Sequence, residues 1–79
     1  MSTMFEVYYK APADSKREAA LTQRISQLGG RLDFREEPNG TRSSVCLTYE
    51  FDRLDRAEAA AATLRQGGEY VEGPVNYGD

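Results

Sequence analysis

The chain has 79 residues, with 13 acidic side chains against 10 basic ones and a net charge of −3. That balance argues against affinity for a nucleic-acid backbone, which comes from lysines and arginines neutralising phosphates. Histidine is absent and Cys46 is the single cysteine, so the commonest general base is missing, an intramolecular disulfide is excluded, and a structural zinc site lacks ligands.

Charged residues make up 29% and apolar ones 39%, with five tyrosines and three phenylalanines, the composition of a folded soluble domain. One domain over residues 1–79 is expected. At this size only roughly 60–65% of the unfolded surface is buried, so the core is thin and self-association would help it. With no signal peptide and no long apolar run, a cytoplasmic chain outside the membrane is expected.

The first element is a strand over Met4 to Lys10, in which Phe5, Val7 and Tyr9 alternate with Met4, Glu6, Tyr8 and Lys10. Pro12 closes it. Ser15 with Glu18 three residues on matches a capping box, so a helix begins at Lys16 and buries Leu21, Ile25 and Leu28. Gly29-Gly30 ends it. The next strand, Arg31 to Glu37, points Leu32 and Phe34 inward and carries charges on its other side, as an edge strand does.

Pro38-Asn39-Gly40-Thr41 is a turn by residue chemistry and makes a hairpin with the strongest strand of the chain, Arg42 to Phe51. There Val45, Leu47, Tyr49 and Phe51 alternate with Ser44, Cys46, Thr48 and Glu50. Asp52 caps a second helix, Asp55 favours its positive end, and Leu54, Ala57, Ala61 and Leu64 form its buried stripe. Gly67-Gly68 stops it. The last strand, Glu69 to Tyr77, is interrupted by Gly73-Pro74, which places it at a sheet edge, with Tyr77 on the inward phase beside Tyr9 and Tyr49.

The order strand, helix, strand, strand, helix, strand, with right-handed crossovers, predicts a ferredoxin-like βαββαβ sandwich. Two helices cover one face of a four-stranded antiparallel sheet of order 4-1-3-2. The open face then carries Glu6, Tyr8, Ser44, Cys46 and Thr48, flanked by Arg31, Asp33 and Arg35 on one side and by Tyr70 and Glu72 on the other.

Three functional families share this topology. The chain is similar to the RNA-recognition motif in its scaffold positions Arg42, Leu47 and Tyr49, but Ser44 and Cys46 stand where its two stacking aromatics belong. The amino-acid-sensing ACT modules resemble it in element order and imply a small-molecule site near Ala11 to Asp14 and at a dimer interface. Acylphosphatases use a glycine-rich phosphate cradle with an arginine after the first strand, and Ala11-Pro12-Ala13 supplies neither.

No catalytic set emerges. Cys46 has no histidine to activate it and reads as an inert, covered thiol. Glu36 and Glu37 diverge as neighbours on a strand, and Asp52 and Asp55 are helix-capping charges. The reading is a non-enzymatic protein-interaction domain without cofactor or metal, a homodimer or a binder of another protein. Tyr8, Cys46, Thr48 and Tyr70 form the centre of the contact, with Glu6, Arg31, Arg35 and Glu72 at its rim.

Overall fold

In the computed structural model, which describes residues 2–41 and 43–77, the chain runs through β1 (Ser2–Lys10), α1 (Ser15–Gln27), β2 (Gly30–Glu36), β3 (Ser44–Phe51), α2 (Leu54–Gln66) and β4 (Tyr70–Tyr77). Arg42, expected at the start of the third strand, lies outside the described residues. The sheet has the order β2-β3-β1-β4 and every neighbouring pair is antiparallel. β2 and β4 are therefore the edges, as charge and proline predict.

Phe5, Val7 and Tyr9 of β1 and Val45, Leu47, Tyr49 and Phe51 of β3 share one core cluster with Leu21 and Ile25 of α1 and Ala57, Ala60, Ala61 and Leu64 of α2. Both helices thus cover the same sheet face. Three small alanines bring α2 close to the strands, and within the core the Phe5 and Phe51 rings lie 5.3 Å apart. Leu54, expected in the stripe of α2, is exposed, and Ala60 takes the buried position.

The helix starts differ from the expected ones. Asp14, not Ser15, caps α1, its carboxylate accepting the Arg17 amide at 3.1 Å. An ionised oxygen suits the positive helix end better than a hydroxyl. That frees Glu18 from the capping box to meet Arg35 and Tyr9. At α2 the cap residue is Arg53, without a side-chain cap bond; Asp52, expected as the cap, lies one residue before it and accepts from Arg31 at 3.2 Å.

Two bulges decide which side chains face away from the helices. In the β2–β3 register Leu32 pairs with Tyr49 but Phe34 with Thr48, so Asp33 is an extra residue. Leu32 keeps the helix-side phase at the uncovered edge and stays exposed; beyond the bulge, Phe34 turns to the open face and Arg35 to the helices. The expected inward Phe34 and outward Arg35 are both reversed, because one inserted residue inverts a period of two.

In β4 the extra residue falls at Gly73-Pro74, since Glu72 pairs with Glu6 while Val75 already pairs with Met4. Tyr77 therefore leaves the inward phase expected for it and, with Val75, joins the open face. Gly73 has φ 103°, and a Cβ there would lie 3.2 Å from the Met4 carbonyl oxygen and 3.3 Å from the Phe5 Cα. Gly73→Ala is expected to cost about 1–2 kcal/mol in urea unfolding. A change below about 0.3 kcal/mol, within the range of ordinary surface substitutions, would contradict this account of the bulge.

Candidate functional site

The face without helices is ordered in rungs across the four strands. One rung reads Phe34, Thr48, Glu6, Glu72, and the next reads Glu36, Cys46, Tyr8, Tyr70. On the far side of the first rung stand Arg31, Glu50, Met4 and Val75. The alternation of β1 and β3 that builds the core is what sends these partners outward.

Large apolar side chains are concentrated here. Phe34 is 56% exposed, Tyr70 59%, Val75 50% and Tyr77 50%, and all four stand on this face. Tyr8 and Tyr70 lie ring beside ring, with centroids 5.8 Å apart. The Tyr8 hydroxyl donates to Glu6 at 3.0 Å and the Tyr70 hydroxyl to Glu72 at 2.7 Å. Burial, followed by the bond to Glu6, pushes the Tyr8 hydroxyl well above its ordinary value, and Glu72 does the same to Tyr70, so both remain donors at neutral pH.

Of the residues expected on this surface, the structure brings together Glu6, Tyr8, Arg31, Cys46, Thr48, Tyr70 and Glu72. Arg35 is not among them. Its guanidinium meets Glu18 of α1 on the helix side, with Nε to Oε1 at 2.5 Å and Nη2 to Oε2 at 3.0 Å. Cys46 is on the face but only 1% exposed, so it forms the floor and not a contact. Burial raises its thiol pKa, which lowers the thiolate fraction. Alkylation of the native protein should be about a hundredfold slower than in urea; equal rates would show that the floor is open.

Phe34, Val75 and Tyr77 were not legible as members of this surface, whereas Met4 follows from the same alternation as Glu6 and Tyr8. The Gly73-Pro74 pair signals an irregularity that would have redirected Val75 and Tyr77, whereas nothing in Asp33 announces a bulge.

The charge on the face is acidic. Glu6, Glu36, Glu50 and Glu72 stand on it with Lys10 and Arg31, and Arg31 is engaged with Glu50 at 3.1 Å and Asp52 at 3.2 Å. Phosphates would meet repulsion here. The turn Ala11 to Asp14 borders a separate hollow with Lys10, Lys16 and Arg17, but the helix end that would hold an anion is taken by the Asp14 carboxylate. Among the described residues no group of three or more potential metal ligands occurs, and no helix is long and apolar enough to cross a membrane. No protein-family model matches the chain and no curated protein matches it, so its function has to be read from this geometry.

Proposed function

We propose that this chain is a ferredoxin-like protein-interaction domain, without catalytic activity of its own, that binds a protein partner through the sheet face its helices leave open. The observation that carries the reading is the exposure of Phe34, Tyr70, Val75 and Tyr77 together on that face. Single exposed apolar residues are ordinary on any protein, but four on one sheet face, Phe34 at the β2 edge and Tyr70, Val75 and Tyr77 at the β4 edge with Tyr8 and polar side chains between them, have the mixed aromatic and charged make-up of an interface. Covering it also compensates for the thin core of so small a domain.

The surface differs from the one expected from sequence in its membership. Tyr8, Tyr70 and Phe34 supply the aromatic anchors, Thr48 and Cys46 the floor, Glu6, Glu72 and Arg31 the polar contacts. The aromatics on the face also fit base stacking, but the four glutamates beside them disfavour nucleic acid. The test is quantitative affinity purification of the wild type and the Phe34→Ser/Tyr70→Ser variant from the cell that makes the protein. Partners retained by the wild type are expected to fall at least tenfold in the variant, an anchor loss of about 1.4 kcal/mol or more. Equal retention by both, with the variant folded, would overturn the reading.

A further inference from the structure

Within the open face lies a hollow of about 260 Å³ bordered by Met4, Glu6, Thr48, Glu72, Val75 and Tyr77. It falls below the usual range for small-molecule sites, roughly 300–1,000 Å³, and suits a single long side chain. Gly73 also lines it, and the bulge at that residue turns Val75 and Tyr77 into its wall. Arg65 of α2 fixes the bulge from behind, donating to the carbonyl oxygens of Val71 and Gly73 at 2.9 Å each.

Glu6 and Glu72 are direct cross-strand partners, an arrangement of like charges that destabilises a sheet. No lysine or arginine among the described residues forms a salt bridge with either. Arg31, the arginine on this face, is committed to Glu50 and Asp52. Among the described residues the two carboxylates accept hydrogen bonds from the hydroxyls of Tyr8 and Tyr70. Two carboxylates against an apolar wall are poorly matched to Ca²⁺, which takes about six to eight oxygens. They fit an organic cation with an aliphatic stem: the stem packs on Met4 and Val75, and the head meets both carboxylates, with Tyr77 also lining the hollow.

From the apolar face and this charge complementarity we infer that the partner is a basic protein segment that places a lysine or arginine side chain between Glu6 and Glu72, with apolar neighbours on Phe34 and Tyr70. The inference rests on the open face being the docking surface. A second copy of this chain is disfavoured as occupant, because two such faces would oppose their glutamates.

The test is a titration of isotope-labelled protein, followed by amide chemical shifts, with the blocked tripeptides acetyl-Leu-Arg-Leu-amide and acetyl-Leu-Gln-Leu-amide. The arginine peptide is expected to shift Glu6, Thr48, Glu72 and Val75 saturably, at least fivefold more tightly than the glutamine peptide and more weakly as salt rises. The Glu6→Gln/Glu72→Gln variant should lose that preference and should unfold no earlier than the wild type, since the like-charge pairing is relieved. Equal binding of both peptides on this face would overturn the cation site and leave the docking face standing. No saturable shift on the face, or shifts confined to α1 and α2, would overturn the cation site, while the purification with Phe34→Ser/Tyr70→Ser judges the face independently. Tighter binding of a uridine decanucleotide, or sheet-face shifts that change on dilution of the protein alone, would overturn the basic segment in favour of RNA or a second copy.

Discussion

Gly30→Ala is expected to lower stability by about 3 kcal/mol, a fall in thermal midpoint of roughly 12–24 °C for a domain of this size. A Cβ at this position would lie 2.5 and 2.6 Å from two ring atoms of Phe51 and 2.8 Å from Cγ2 of Ile25. Both neighbours are fully buried, so neither has free space to retreat into. The first residue of β2 must therefore be glycine for α1 to pack over the end of β3. Gly40→Ala is the control, because nothing lies within 4 Å of the added carbon, and it is expected to change stability by less than about 0.5 kcal/mol. Similar effects in urea unfolding for the two variants would contradict the packing described at Gly30.

Glu18→Gln is expected to cost about 2 kcal/mol at pH 7 and to flatten the acid limb of the stability curve. Glu18 receives the fork of Arg35 and the hydroxyl of Tyr9, tying α1 to β2 and β1, and its side chain is mostly covered. The Tyr9 oxygen in turn accepts the Asp14 amide at 2.8 Å, which joins the helix start to the same network. The Arg35 guanidinium holds the Glu18 carboxyl below the usual carboxylate range. A folded pKa below the unfolded one gives stability that is complete above the unfolded value, about 4.3, and is lost as pH falls through the folded value. Urea unfolding of the wild type between pH 6 and pH 2.5 should therefore lose more stability than the variant does. Parallel curves would show that Glu18 contributes nothing through its charge.

The order of elements, the antiparallel sheet and both edges were legible because they rest on features that survive packing: two-residue alternation in β1 and β3, paired glycines after each helix, and a proline in β4. The face of individual side chains was less so. Arg35 and Phe34 exchanged sides because Asp33 is inserted against β3, and an ordinary aspartate in a charged strand carries no mark of a bulge. Gly73-Pro74 does carry one, and its consequence for Val75 and Tyr77 depends on whether the irregularity adds a residue to the register, which pairing with β1 decides. Ser15 lost the helix cap to its neighbour Asp14, whose carboxylate accepts the Arg17 amide, and Glu18, freed from the capping box, meets Arg35 of a distant strand, a partner the local pattern does not show.

The same logic separates the parts of the candidate surface. Glu6, Tyr8, Thr48, Tyr70 and Glu72 precede or avoid the bulges and were placed correctly by alternation. The burial of Cys46 on an uncovered face follows from the side chains around it and not from its strand phase. The hollow between Glu6 and Glu72 exists only in the folded register, where two distant acids become neighbours.

Site-specific photocrosslinking in the cell that makes the protein distinguishes the open sheet face from the helix face as the interaction surface, with a benzophenone amino acid in place of Tyr70 on the sheet face or Gln23 on the exposed side of α1. Discrete protein adducts are expected from position 70 and none from position 23. Adducts from position 23 with none from position 70 would contradict the assignment of the open sheet face as the interaction surface.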